Sequence, residues 1–322
     1  MIKVGVIRGG PSSEHDVSLK TGGEVLNHLP SDYRGSDVLL DKTGCWHLDG
    51  FQREVSQIFD SVDVVFNALH GEFGEDGKAQ QIFESFNMPY TGSKIYSSSL
   101  AMKKHMARDL FSRAGIKTPK ALFFTKDDMF GIDVVECASQ VVNSISPLWV
   151  VKPSSAGSSV GIKICGSFGE LMEAMENAFE YGDTVLVEEF IKGREATCGI
   201  LEDFRGENTY ALPVVEIIPP DDKFFDYEVK YNGATREICP ASFNASVKRE
   251  IEDIAKRAHE ALGCCHYSRA DFIVSPRGVF LLEVNTLPGL TPESLFPKEA
   301  EAVGLPFDRL LDHIVRLALN RH

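Results

Sequence analysis

The start of the chain alternates apolar runs with helical patterns, and this alternation constrains the fold more than any other feature. "KVGVI" reads as a buried strand, followed by the Gly/Ser loop "RGGPSSEHDVS" and the helix-like "LKTGGEVLNHL". "DVVFNALHG" reads as a second buried strand, ending in "EFGEDG" before the helical "KAQQIFESF". Strands that alternate with helices build a parallel sheet. Ligands of such sheets sit at the carboxyl ends of the strands, which predicts Glu14, His70 and Glu72 on one rim. The first loop lacks G-x-G-x-x-G, which disfavours a Rossmann dehydrogenase.

Beyond "MPYTGSKIYSSS" the pattern changes. Ser97 to Ser99 are read as caps of a helix from Leu100 to Ala114, stopping at Gly115. "LWVVKPSSAGSSVGIKIC" reads as strand, glycine-bearing loop, strand, and "FGELMEAMENAFEYG" as a helix. "TVLVEEFIKGREATCGIL" reads as two strands around Lys192-Gly193, and "YALPVVEIIP" as one more. After a polar, aromatic-rich loop over 220–240 come an amphipathic helix, a hairpin at Pro276 to Gly278 and a final helix. The expected fold is α/β, with three units at 1–98, 99–183 and 184–322. A chain of 322 residues has length for two or three domains.

Composition narrows the function. A formal charge of −14 argues against general binding to nucleic acid or to an anionic membrane. No apolar run approaches the roughly 20 residues of a membrane span, and "MIKVGVIRGG" lacks the layout of a signal peptide. Seven scattered cysteines without CxxC spacing fit free thiols in a reducing compartment. A cytoplasmic protein is expected.

"RADFIVSPRGVFLLEVNTLPG" carries the chemistry. Residues two apart in a strand share a face, so Glu283 pairs with Asn285 and Arg269 with Asp271. A two-residue turn at Pro276-Arg277 would set Asp271 opposite Leu282 and split the set. A three-residue turn with Gly278 as a left-handed bulge sets Asp271 opposite Glu283, and that register is the expectation. Two carboxylates and an amide oxygen on one face, without His or Cys, make a hard-oxygen site suited to Mg²⁺. The plainer reading is a solvated sheet face with a salt bridge from Arg269.

Other candidates lie far apart in sequence. Lys104 falls on the helix after Ser99, and Lys152 ends "LWVVK". The loop "PSSAGSSVG" offers backbone N–H groups to phosphates, but it lacks GK[ST] and precedes a strand, so it is a flap and not a Walker loop. Glu188 and Glu189 end a strand, and with Glu195 they can hydrogen-bond an adenine and a ribose.

In order along the chain, "GGPSSEHDVS", "ALHGEFGEDG", "PYTGS", "VKPSSAGSSVG", "FFDYEVKY", "RADF" and "EVNTLPGLTPES" resemble the ATP-grasp fold, and more closely the D-alanine–D-alanine ligases. The resemblance covers essentially the whole chain. It implies ATP-dependent joining of two D-alanines through a D-alanyl phosphate, for peptidoglycan precursor synthesis, with D-lactate or D-serine as alternative acceptors in related ligases. It implies Mg²⁺ (two ions, with Mn²⁺ able to replace it) on Asp271, Glu283 and Asn285. Lys104 and Lys152 would bind phosphates; Glu188, Glu189, Phe190 and Ile191 would frame adenine, and Glu195 the ribose. Glu14 would hold the first D-alanine's ammonium, beside His70. Arg269 and the Gly289 N–H would face the oxyanion, and Ser294 and Leu295 the second carboxylate. In the mobile loop, Lys230 would reach the γ-phosphate, and Tyr231 would bond Ser158 and through it Glu14. A homodimer joined through the first unit is implied. The chain departs from the family at Lys103, where Asp is common, at Ser155-Ala156, where charged residues are frequent, and at Glu189, where Lys is common. A nucleotide-binding protein without ligase activity would be expected to lack the metal ligands or Arg269, and all are present.

Overall fold

A computed structural model describes residues 1–127, 133–154, 161–219 and 235–320. Ser155, Ala156, Ser158, Lys230 and Tyr231 lie outside the described residues, as does most of the expected 220–240 loop.

The first sheet holds β1 (Ile2–Gly9), β2 (Tyr33–Leu40), β3 (Trp46–Leu48), β4 (Phe51–Gln52) and β5 (Val64–Asn67), in the order β4-β3-β2-β1-β5. β1 pairs parallel with β2 and β5, as the alternation predicts. Parallel neighbours need a crossover, and α1 (His15–His28) and α2 (Val55–Phe59) lie in those connections. α3 (Lys78–Ser85) follows, its Phe83 buried beside Phe59 and Tyr90.

The single helix expected from Leu100 to Ala114 is two: α4 (Ile95–Met102) and α5 (Lys104–Arg113). The break is at Lys103, whose φ of −88° and ψ of 88° leave the helical region. Ser97 and Ser98 lie inside α4 and do not cap; their hydroxyls donate to Gly263 O and Ser93 O. Lys104 thereby becomes the first residue of a helix.

The second sheet holds β6 (Ala121–Thr125), β7 (Trp149–Pro153), β8 (Lys163–Cys165) and β9 (Thr184–Glu189), in the order β6-β9-β7-β8. Its covering helices are α6 (Val134–Ser144) and α7 (Phe168–Ala178). Ser167 and Glu170 start α7 as a capping box. β9 lies between β6 and β7, so a boundary at 183 runs through this sheet. The two strands read around Lys192-Gly193 are therefore no hairpin: the second belongs to another sheet.

That third sheet contains β10 (Arg194–Phe204), β11 (Glu207–Ala211), β12 (Val215–Ile218), β13 (Arg236–Ile238), β14 (Tyr267–Ser275) and β15 (Gly278–Asn285). Its order is β13-β12-β10-β14-β15, with β11 also on β10. The strand read over "YALPVVEIIP" is split between β11 and β12, with Pro213, which has no N–H to give, in the gap. α8 (Ala245–Leu262) sends Ile251, Ala255 and Leu262 into the core beneath Phe272 and Leu281. α9 (Leu295–Ala302) and α10 (Phe307–Asn320) close the chain. α10 packs Leu310 and Ile314 with Val4 and Phe66, so the last helix shares a core with the first sheet.

The β14–β15 hairpin corrects the expected turn. Ser275 pairs with Gly278 across two residues, Pro276 and Arg277. Gly278 has φ +111°, a value that favours glycine, but it makes no bulge. The register shifts further along: Phe272 faces Leu281, and Asp271 faces Glu283. Leu282 is the extra residue of a β-bulge. The expected pairing holds, reached by a bulge in the strand and not by a longer turn.

Candidate active site

Arg269, Asp271, Glu283 and Asn285 share one face of the hairpin, with Asp271 opposite Glu283 and Arg269 opposite Asn285. The Arg269 guanidinium forks onto Asp271, Nε to Oδ1 and Nη2 to Oδ2, both at 2.9 Å. Thr197 on β10 donates to Asp271 Oδ1 at 2.8 Å. Burial alone would lower the Arg269 pKa, but attraction to Asp271 outweighs it and holds the pKa above its usual value. The arginine is thus a permanent cation, fixed in direction. Sequence reading did not single out Thr197; its parity on the neighbouring strand was the available signal.

The expected metal ligands, Asp271, Glu283 and Asn285, have the donor chemistry of a hard-cation site. Among the described residues no cluster of three or more His, Cys, Asp or Glu gathers, which leaves two carboxylates and the Asn285 amide. That is the sparse protein ligation Mg²⁺ takes when phosphate and water supply the rest. Asn285 Oδ1 accepts the Leu287 N–H at 3.2 Å, which turns its oxygen into the hairpin end.

Lys104, at the start of α5, places Nζ 3.2 Å from Glu283 Oε2. One turn later on the same helix face, Arg108 donates to Glu188 on β9 and, at 2.7 Å, to the Pro119 carbonyl. Glu188 also takes Lys152 Nζ at 2.7 Å. All three of these charged side chains are buried. α5 therefore joins the second sheet to the third, with a cation aimed at each. Sequence reading found Lys104, Lys152 and Glu188 but missed Arg108, although its spacing of four from Lys104 puts both on one face.

Along β9, Glu189 is committed to Arg277, at 2.6 and 3.2 Å, and to the Lys120 N–H. Burial would raise its carboxyl pKa, but these partners hold it below the usual range. Its side chain is tied up in an ion pair. Phe190 donates its N–H to Leu148 O, and Ile191 is buried. Glu195 faces Ile273 across β10 and β14, on the same face as Thr197 and Asp271.

At the rim of the first sheet, Glu14 stands at the N-terminus of α1. Its Oε2 lies 3.0 Å from where a Cβ on Gly71 would sit, and Gly71 has φ +70°. Ser12 Oγ donates to His70 O at 2.6 Å. The buried His70 ring sets Nε2 2.9 Å from Thr21 Oγ1 and Nδ1 3.9 Å from Glu75. Glu14 and the His70–Gly71 segment thus lie together at this rim, while Glu72 is exposed and faces Lys78; Ser12, Thr21 and Glu75 are the supports that sequence reading passed over.

At the far side, Ser294 precedes α9 and shares its hydroxyl with Thr291 N and Thr291 Oγ1, at 3.2 and 2.9 Å. A Cβ on Gly289 would lie 3.0 Å from Ser294 Oγ, so the Gly289 backbone passes close to that hydroxyl. Leu295 opens the helix, and the positive end of a helix dipole favours an anion.

The family model described as "D-ala D-ala ligase C-terminus" matches residues 110–316, and "D-ala D-ala ligase N-terminus" matches 50–93. The chain belongs to the D-alanine–D-alanine ligase family. A D-alanine–D-alanine ligase of Geotalea uraniireducens is 40% identical over 321 residues, covering 98% of this chain and 95% of the relative. One from Halalkalibacterium halodurans is 38% identical, covering 99% and 100%. Among solved structures, a D-alanine–D-alanine ligase of Bacillus anthracis complexed with ATP superimposes with TM-score 0.81 at 32% identity, covering 99% of this chain and 98% of that one. The VanG D-Ala:D-Ser ligase of Enterococcus faecalis gives 0.84 at 31%, covering 98% and 99%. The α/β ATP-grasp architecture expected of the family is the one observed. No described helix is long and apolar enough to cross a membrane.

Proposed function

We propose that this chain joins two D-alanines into D-alanyl-D-alanine with cleavage of ATP to ADP and phosphate, supplying the dipeptide end of a peptidoglycan precursor. The observation that carries the reading is the hairpin face: a forked Arg269–Asp271 pair beside Glu283 and Asn285, with Lys104 already on Glu283.

The first D-alanine lies at the rim, its ammonium on Glu14 and near His70. Its carboxylate attacks the γ-phosphorus of ATP, giving D-alanyl phosphate and ADP. The second D-alanine docks its carboxylate on Ser294 and the N-terminus of α9 at Leu295. Its amine attacks the acyl carbon, and the tetrahedral centre collapses with loss of phosphate. Arg269 and the Gly289 N–H stabilise the oxyanion; such preorganised donors lower barriers by roughly 3–4 kcal/mol each. Lys104 and Lys152 hold phosphate oxygens, and Glu188 orients Lys152. Glu188 to Ile191 frame adenine, with Glu195 on the ribose. Lys230 serves the γ-phosphate, and Tyr231 with Ser158 supports Glu14. Asp271, Glu283 and Asn285 would hold Mg²⁺, two ions by family pattern and replaceable by Mn²⁺, which when bound neutralises phosphate charge.

We place the enzyme in the cytoplasm, where its seven free thiols suit a reducing medium, and read it as a homodimer through the first unit. The three units 1–98, 99–183 and 184–322 serve as donor-substrate, nucleotide and metal-plus-acceptor units, with β9 lent to the central sheet.

The test is ADP release with Mg-ATP and D-alanine, beside L-alanine, D-serine and D-alanine plus D-lactate, with products weighed by mass spectrometry. D-alanyl-D-alanine as the dominant product supports the reading. A D-alanyl-D-serine or depsipeptide product would overturn the acceptor assignment.

A further inference from the structure

Glu299 lies on α9, one turn after Leu295 and so on the same helix face. It is a carboxyl with no solvent exposure at all. Its Oε2 accepts the Gly199 N–H at 2.7 Å, while Oε1 is buried without a hydrogen-bond partner among the described residues. Gly199 sits where β10 changes partners, from β12 at Glu195–Thr197 to β11 from Ile200 onward. Its N–H therefore has no ladder partner on that side, and Glu299 supplies one.

Gly199 also stands directly opposite Arg269, on the face that carries Asp271. A Cβ on Gly199 would lie 2.3 Å from Glu299 Oε2 and 2.7 Å from Phe296 Cδ2. The missing side chain is what admits the carboxyl. Opposed Cβ atoms of antiparallel strands are about 5 Å apart, so the carboxyl lies within about 8 Å of the Arg269 Cβ. Arg269 is thus flanked by Asp271 on its own strand and by Glu299 across from it. Burial pushes the Glu299 carboxyl well above the usual range, and Arg269 pulls it part of the way back.

We propose that Glu299 is a positioning residue that docks the acceptor helix α9 beside Arg269, fixing the spacing between the oxyanion arginine and the acceptor contacts at Ser294 and Leu295. The inference rests on the ligase reading and on the role given there to Arg269. Glu299 touches no substrate. It acts through the Gly199 hydrogen bond, which ties α9 to β10 at the strand position beside the arginine. Small displacements of reacting groups reduce rates by up to about a hundredfold, so loosening this bond should damage amine attack while sparing nucleotide binding.

The test compares Glu299→Gln, Glu299→Met and Glu299→Asp with wild type and Arg269→Ala, by steady-state kinetics against ATP and D-alanine, with thermal melting of each. Gln keeps an acceptor for Gly199; Met fills the space without one; Asp withdraws the carboxyl, and stands in if Met does not fold. Expected are near wild-type kinetics for Gln, and for Met and Asp a kcat lower by about tenfold with a raised KM for the second D-alanine and an unchanged KM for ATP. Wild-type kcat in Met or Asp overturns the inference. So does an equal rise in both KM values, or a Gln variant as impaired as Met. An active Arg269→Ala variant would overturn the ligase site reading itself.

Discussion

Lys104 Nζ and Glu283 Oε2 lie 3.2 Å apart, joining the first residue of α5 to the carboxylate face of the hairpin. The neighbouring Lys103 is exposed and sits in the break between α4 and α5. The two adjacent lysines are therefore unequal. Lys104→Gln should cut turnover by about a hundredfold and raise the KM for ATP. Lys103→Gln should stay within about twofold of wild type. Steady-state ADP release on the two variants decides; the reverse ranking would move the phosphate contact to Lys103.

Arg108 should prove structural and nucleotide-linked together. It and Lys152 are the two cations on the buried Glu188. Removing one partner of a buried pair costs about 3–5 kcal/mol when the other charge is stranded. Lys152 remains on Glu188, so Arg108→Ala should fall near the lower end, about 3 kcal/mol by denaturant unfolding. If Arg108 supports the nucleotide site, ATP should stabilise the variant less than wild type, so the loss should widen when ATP is present. A loss that ATP leaves unchanged would separate Arg108 from the nucleotide site.

Hairpin parity made much of this site legible. Arg269, Asp271, Glu283 and Asn285 each fall two residues from a partner, and period two survives any correct register. The cause of that register was not legible. Gly278 drew attention as a bulge residue, yet the bulge is at Leu282, an ordinary apolar residue with no local signature. The α4–α5 break was hidden for a similar reason: Ser97 and Ser98 resemble caps, but acceptors brought near by the fold, Gly263 among them, claim their hydroxyls. Arg108 and Glu299 resemble solvated helix charges until the fold supplies Glu188 and Gly199. Charges whose partners lie far along the chain are what a linear reading misses.

Glu216 offers a pH test away from the chemistry. Its buried carboxylate accepts Ser242 Oγ at 2.6 Å and Arg194 Nε at 2.7 Å. Burial would raise its pKa, but these partners hold it below the usual range. A depressed folded-state pKa means the unfolded chain binds the proton more readily. The stabilisation is thus present above the unfolded value of about 4.3 and lost as pH falls through the lower folded value. Glu216→Gln should lower the melting temperature at neutral pH and flatten its fall between about pH 5 and pH 3. An unchanged slope would contradict the assignment.

Gly199→Ala should imitate the loss of Glu299. The new Cβ would meet Oε2 at 2.3 Å and Phe296 at 2.7 Å, so helix α9 must shift. Overpacking of this kind costs about 1–3 kcal/mol. The variant should fold, bind ATP normally and show a raised KM for the second D-alanine; an unaltered KM would mean α9 tolerates the shift.

The central claim is that one face of β14 and β15 is the reaction centre. Turnover of Glu283→Ala, measured as ADP release with Mg-ATP and D-alanine on protein shown by melting to be folded, tests it most directly. The account predicts a loss of at least about a hundredfold. Full activity in that variant would contradict it.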